Sequence, residues 1–351
     1  MILAAVTFAD IGYVIVALLC LMFLIVVHEF GHYLAGKLLG FKINEFAIGF
    51  GPAIFKHKSK KTGELFAIRC IPLGGFCAFE GEDEETESEL AFTKQKPWKR
   101  IIVLFAGAFF NYMCAILFIS IFFMAYGDFM PKISETYLNS AGQQFEAEDI
   151  ILEVDGKGVY TLLGNSSFDK MLKEDSAKVL VLRDGKKQEL TIKKGNYTAQ
   201  LENGATEQKY GFGISVGYTR YKYGFFGAIG RAFVFSFKIV IMLFTTIGSV
   251  FTGALGIKGT IGGPITAIGS IANLSKGGFD AIMYGVCVLS ANLAIMNLLP
   301  IPALDGSRIL FTAIEWVRGK PINRKVEAII HTVGLVCLFA LTIILDIVNW
   351  V

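Results

Sequence analysis

Uninterrupted apolar runs limit what this chain can become more than any other feature. A helix that crosses a bilayer needs about 20 mostly apolar residues. Three stretches of the 351-residue sequence meet that need directly: about Ile11 to Leu39, about Ile101 to Tyr126, and about Ala328 to Val351. A fourth, about Phe279 to Leu299, ends at Pro300 and Pro302. A fifth lies between Phe225 and Leu255, where Arg231 and Lys238 interrupt it and Gly248, Gly253 and Gly256 mark its end. It reads as a span, a re-entrant segment or an interfacial helix, since basic amphipathic helices lie on membranes rather than cross them. Hydrophobic residues make up 54% of the chain and charged residues 18%, against about 45–50% and about 25% in soluble domains. Part of the surface therefore needs lipid, which excludes an all-soluble enzyme and a disordered chain. A net charge of +3 gives no reason to expect a nucleic-acid partner. The six cysteines form no CxxC pair and no disulfide framework.

Charge in the loops orients the runs. The first loop carries Lys56-His57-Lys58-Ser59-Lys60-Lys61, an acidic run from Glu80 to Glu89, and then Lys94, Lys96, Lys99 and Arg100. Arg318, Lys320, Arg324 and Lys325 precede the last run. Lys/Arg close to span ends marks the cytoplasmic side. Four crossings put both basic loops on that side, whereas a fifth would separate them. Parity thus predicts four spans, with 225–255 interfacial or re-entrant. The one long polar region, about Pro131 to Tyr223, and both termini then face outward. The start of the chain lacks the basic segment of a signal peptide and reads as a retained span.

The first run ends His28-Glu29-Phe30-Gly31-His32. Four apart on a helix, His28 and His32 project from one face and can reach one metal ion, and neutral imidazole suits zinc. Glu29, beside that face, can take a proton from a zinc-bound water. Ionisable groups within a span are costly and usually functional. Catalytic zinc takes a third protein ligand. The candidate is Asp305, in Asn297-Leu298-Leu299-Pro300-Ile301-Pro302-Ala303-Leu304-Asp305-Gly306, where two prolines break the helix and turn the carboxylate back toward the first span. Taken alone, Asp305 in Leu-Asp-Gly reads as a helix-end turn residue.

Together these two motifs, in this order and at opposite ends of the chain, resemble the site-2 protease family of intramembrane zinc metalloproteases. The likeness is to its bacterial sigma-E-regulating type with a single PDZ-like domain. The resemblance implies Zn2+ held by His28, His32 and Asp305, with Glu29 as base and Asn297 handling substrate. Ile48-Gly49-Phe50-Gly51-Pro52 and Ile71-Pro72-Leu73-Gly74-Gly75-Phe76 resemble the family's glycine-rich β-hairpin region, and Gly74 and Gly75 become candidate substrate contacts. Gly262-Gly263-Pro264-Ile265 resembles its G-P-I element. Asn139-Ser140-Ala141-Gly142, followed by Asp149 to Lys157, is similar to a PDZ domain, although the usual proline and glycine of its A-G-L-x-x-G-D stretch are absent. Lys178–Leu182 and Gln188–Ile192 read as strands joined by a turn at Arg183-Asp184-Gly185-Lys186.

The expected fold is an α-helical polytopic membrane protein of about four transmembrane helices, with a membrane-associated β-hairpin region and an inserted PDZ-like α+β domain. Residues 1–126 would form the first part of the membrane core, 127–224 the extracytoplasmic domain, and 225–351 the second part. The expected activity is zinc-dependent hydrolysis of peptide bonds within or near a substrate's transmembrane segment. By resemblance, its partners would be single-span membrane proteins, with anti-sigma factors and signal-peptide remnants as candidates, in a lipid bilayer and without nucleic acid. The site would lie near the cytoplasmic side of the cell membrane. A non-catalytic scaffold or receptor built on the PDZ-like domain is the rival from another class. A transporter is a third reading, disfavoured because four spans show no evident internal repeat.

Overall fold

A computed structural model of the chain describes residues 8–82, 86, 88–137, 144–164, 167–200 and 206–350. Asn139 to Gly142, and Asp83, Glu84, Glu85 and Glu87 of the acidic run, lie outside them. The chain divides into two compact units, Met1–Ile119 with Ile239–Val351, and Ser120–Lys238.

In the first unit, helix α1 (Phe8–Leu39) leads into strands β1 (Ile43–Lys58) and β2 (Leu65–Phe79). Helix α2 (Pro97–Ala125) follows and runs across the division between units. The two strands are long enough to fold over. Ile43 to Ile48 pairs with Phe79 to Gly75 on one side and meets Leu65 to Ile68 on the other. Leu65 to Ile68 in turn pairs with Lys58 to Phe55. The predicted glycine-rich hairpin is therefore a sheet of four segments. The bends fall at Gly49, Gly51 and Gly74, whose φ values of +85°, +82° and +106° suit a residue without Cβ. Phe41, Ile43, Cys77 and Phe79 bury against Phe92, Val103 and Leu104, which seats the sheet on the start of α2.

The second unit contains β3 (Asp128–Thr136), β4 (Ile150–Val154), β5 (Lys157–Gly158), α3 (Ser167–Met171), β6 (Ser176–Arg183), β7 (Lys186–Lys193), β8 (Gly195–Gln200), β9 (Thr206–Gly211) and β10 (Ile214–Tyr221). Strand order in its main sheet is β10-β3-β4-β6-β7, with β5 beside β4, while β8 and β9 form a separate hairpin. Alternate residues point inward, as the period of two requires: Val179, Val181, Ile151, Ile133 and Ile192 are fully buried with Phe168 and Met171 of α3. The predicted 183–186 turn is present. Asp184 and Gly185 have φ of +48° and +75°, the left-handed pair that suits a two-residue hairpin.

Helix α4 (Phe225–Phe251) begins in the second unit and continues into the first. Its charges are not stray interruptions. Arg231 Nε donates to Asp128 Oδ2 at 2.7 Å, and its guanidinium lies 4.1 Å from the centre of the Tyr160 ring. Lys238 lies over the same ring. Cationic side chains paired in this way are far less costly in an apolar helix than unpaired ones.

The first unit closes with α5 (Pro264–Ser275), α6 (Phe279–Leu298), α7 (Asp305–Arg318) and α8 (Arg324–Trp350). Ala17 of α1 packs on Ile271 and Ala272 of α5, and Leu24 packs on Cys114 of α2 and Val286 of α6. Large apolar side chains along α4 and α8 stay exposed, among them Phe233, Phe237, Val336 and Phe339. Such surfaces call for lipid. Among the described residues five helices, α1, α2, α4, α6 and α8, are long and apolar enough to cross a membrane. The 27 residues of α4 reach about 40 Å at 1.5 Å each, more than a hydrocarbon core of about 30 Å. The segment expected to be interfacial or re-entrant is thus one unbroken helix over most of its length. The protein is a polytopic, multi-pass membrane protein by this architecture.

Candidate metal centre

The sequence keeps α1 helical through His28, Glu29 and His32, so both imidazoles leave it on one face, with ring centres 4.7 Å apart. Asp305 comes from the far end of the chain. Helix α6 stops at Leu298, Pro300 and Pro302 prevent its continuation, and α7 begins at Asp305 itself. The turn is tight. Ala303 has φ of +78°, and its N–H donates to His331 Nδ1 at 3.1 Å. A Cβ on Gly306 would stand 2.3–2.4 Å from the backbone of Leu298 and Leu299, so only glycine lets α7 start this close to the end of α6. The Leu-Asp-Gly sequence thereby aims its carboxylate at α1.

The three side chains converge. Asp305 Oδ2 is 2.9 Å from His28 Nε2 and 3.3 Å from His32 Nε2, and the two Nε2 atoms are 3.1 Å apart. A tetrahedral zinc with ligand bonds of about 2.0–2.1 Å places its ligand atoms about 3.3 Å from one another. The triangle therefore needs only a slight expansion to hold one ion. Donor chemistry agrees, since two imidazoles and one carboxylate leave a fourth position open. Both histidines are buried, and Asp305 is half-buried. Among the described residues this is the one group of three such side chains with ligand atoms all within 4.8 Å.

The surroundings orient these side chains. His32 Nδ1 donates to the carbonyl oxygen of Val103 at 2.8 Å, which fixes its proton there and leaves Nε2 free to bind metal. Helix α2 approaches α1 very closely: a Cβ on Gly31 would lie 2.5 Å from the Ala106 oxygen. A Cβ on Gly107 would lie 2.4 Å from His32 Nε2 and 2.8 Å from His28 Cε1. These two glycines give the cluster its room, and the sequence reading did not single out Gly107.

Glu29 turns its Oε2 to the backbone N–H of Cys77 at 3.0 Å. It shares a cavity of about 400 Å³ with His32 and Asp305, lined also by Phe76, Cys77, Glu82 and Arg308. Gly75 stands close by, since a Cβ there would meet the Glu29 Cγ at 3.7 Å. Gly74 holds its bend beneath the Phe50 ring, where a Cβ would come within 2.4 Å. Cys77 and Phe79 point their N–H groups to Glu29 and Glu82, away from their β1 partners. That row continues at Gly75 by the period of two. Asn297 lies in the last turn of α6, half-buried and outside the lining of this cavity. Of the residues singled out from sequence, the structure gathers His28, His32, Asp305, Glu29 and Gly75, and leaves Asn297 apart.

The sequence matches the model of peptidase family M50 over residues 16–341. It is 33% identical over 341 residues to a chain from Clostridium perfringens whose provisional name is zinc metalloprotease, covering 95% of this chain and 97% of that one. A similarly named chain of Fusobacterium nucleatum is 33% identical over 92% of this chain and 94% of its own length. One from Campylobacter jejuni is 30% identical over 92% and 89%.

Proposed function

The chain belongs to peptidase family M50, the zinc-dependent site-2 protease family, and from that premise we propose that it is an intramembrane metalloprotease that cuts single-span membrane proteins within or near their transmembrane segments. One observation carries the reading: His28, His32 and Asp305 form a triangle of zinc dimensions, and Glu29 shares a cavity with His32 and Asp305.

His28, His32 and Asp305 would hold the ion. Bound zinc supplies Lewis acidity, polarising a carbonyl and lowering the pKa of water toward about 7. Glu29 accepts the proton that water loses as its oxygen attacks the carbonyl carbon. It then delivers that proton to the departing amine, so one carboxylate serves as base and acid in turn. The Cys77 N–H holds this carboxylate in place.

A substrate helix hides its peptide bonds and must unwind to be cut, which exposes backbone groups that need partners. The Gly75–Phe79 segment lies at one side of its sheet and next to Glu29. Strand addition there would start from Gly75 toward Ile71, since the N–H groups of Cys77 and Phe79 are already taken. Asn297, outside the cavity, would act on a stretch of substrate beyond the reacting bond. The exposed Phe50, Ile54 and Phe55, with Lys56 and Lys58 beside them, suit a sheet dipped into the cytoplasmic face of the membrane. On this reading α1, α2, α6 and α8 cross while α4 stays interfacial or re-entrant, residues 127–224 form an outward PDZ-like domain that filters or binds trimmed substrates, and the zinc lies near the cytoplasmic side.

Purified protein, reconstituted with a model single-span peptide, should release fragments whose ends map by mass spectrometry inside the apolar segment, and a zinc chelator should abolish them. Cleavage confined to soluble flanks would remove the intramembrane part of the reading. A scaffold or receptor would cut neither.

A further inference from the structure

Helix α2 serves the cluster through one stripe. Val103, Gly107 and Asn111 lie four residues apart and so share a face. Val103 offers its carbonyl oxygen to His32, and Gly107 leaves space for both rings. Asn111 reaches the other histidine: its Nδ2 is 3.5 Å from His28 Nδ1. This amide is 1% exposed, within an apolar helix. Its Oδ1 is buried with no hydrogen-bond partner among the described residues. Its own backbone carbonyl accepts the Ser290 hydroxyl of α6 at 2.7 Å, so the main chain is anchored independently of the side chain.

We propose that Asn111 is the positioning residue for His28, receiving the Nδ1 proton on its Oδ1 when Nε2 holds the metal. The inference rests on the zinc reading of the cluster. An imidazole can ligate through Nε2 only with that lone pair free, and the neutral ring then carries its proton on Nδ1. His32 hands that proton to Val103. His28 has Asn111 at the equivalent atom. Nδ2 stands 3.5 Å from Nδ1 and His28 Nε2 stands 2.9 Å from Asp305 Oδ2, contacts that are both satisfied when the ring carries its proton on Nε2. Half a turn of the carboxamide exchanges its oxygen and nitrogen, which have nearly the same shape. Oδ1 then accepts Nδ1–H, and Nε2 is released toward the ion. One amide fits both tautomers, which neither an apolar side chain nor a fixed donor does. A polar contact that merely packs two helices would use Oδ1; here the link to α6 goes through the backbone instead.

Zinc competition against a fluorescent chelator, on the full-length chain in detergent, tests this without any substrate. Asn111→Leu keeps the shape and loses the acceptor, and should weaken zinc about 10–100-fold, the usual cost of losing a histidine's outer partner. Asn111→Asp keeps an acceptor and should recover most of that loss. In the zinc-free Asn111→Asp protein, 15N NMR of labelled histidine should show His28 protonated at Nδ1. Wild-type affinity in Asn111→Leu would overturn the proposal. So would equal losses in both variants, which assign Asn111 to packing alone. Should Asn111→Leu not fold, the NMR comparison of wild type and Asn111→Asp decides, an unchanged tautomer counting against the proposal. His28→Ala is the control: wild-type zinc binding there would sink the zinc reading itself.

Discussion

Glu29 on α1 and Cys77 on β2 are joined by a 3.0 Å hydrogen bond from the Cys77 backbone N–H to the Glu29 carboxylate. The bond ties the proposed base to the strand proposed to hold the substrate. A chain paired along that strand would therefore meet the base at a fixed height. The bond also means that no side-chain change at position 77 short of proline removes the donor.

Gly107 should be the least replaceable residue of α2. A Cβ there would stand 2.4 Å from the ring nitrogen of His32 and 2.8 Å from the ring of His28. Alanine forces both imidazoles away from Asp305. Gly107→Ala should hold well under half of the wild-type zinc, by atomic emission on purified protein, with unchanged helical circular dichroism. Full zinc occupancy would show that the rings have more freedom than this packing allows.

Arg100 and Glu315 form a pair with 5% and 6% side-chain exposure, Arg100 Nη1 donating to Oε2 at 2.6 Å. Glu315 also accepts the Ile322 N–H at 3.0 Å. Removing one buried partner leaves the other charge uncompensated, at about 3–5 kcal/mol, whereas replacing both with apolar groups is often neutral. Glu315→Ala should thus lower the thermal midpoint clearly, and Arg100→Met with Glu315→Met should restore most of it. Burial pushes the Glu315 carboxyl up, but the Ile322 N–H and the Arg100 guanidinium outweigh it and hold the group below its usual range. A depressed value stabilises fully above about pH 4.3 and is lost as pH falls from there through the folded value. Glu315→Gln should remove that part of the acid sensitivity. A parallel pH dependence in wild type and variant would contradict it.

Asp346 near the end of α8 caps α5. Its Oδ1 accepts the N–H groups of Gly263 and Thr266 and the Thr266 hydroxyl, and its Oδ2 accepts the Ile265 N–H. Pro264, with no N–H to satisfy, takes the first helical position between them. Asp346→Ala should cost about 0.5–2 kcal/mol, the range for a lost cap. Hydrogen exchange across Gly259–Thr266 should speed up while α1 stays protected. Unchanged exchange there would mean that packing on α1 alone holds α5.

The three candidate ligands were legible because their geometry is written in spacing. Two histidines four apart share a helical face, and Pro300, Pro302 and Gly306 force the chain to turn at Asp305. Their supports were not. The Val103 carbonyl leaves no mark in a sequence, since every residue has one. Gly107 and Asn111 were visible as a glycine and an amide four apart in an apolar run, but nothing in that spacing says which helix they face. The glycine-rich hairpin was expected, yet the bends at Gly49, Gly51 and Gly74 that fold two strands into four segments break the period that would reveal them. Arg231 looked like an interruption of an apolar run because its partner, Asp128, lies 103 residues earlier. The polar region's alternation exposed β6, β7 and their turn.

On the proposed mechanism Glu29 moves the proton while His28, His32 and Asp305 hold the ion. Glu29→Gln keeps size and the capacity to accept the Cys77 N–H while removing the base. Measured on reconstituted protein with a single-span peptide, the variant should retain one zinc per chain and lose cleavage by at least about 100-fold, the lower end of what general acid–base catalysis contributes. Cleavage at the wild-type rate with zinc in place would contradict the account.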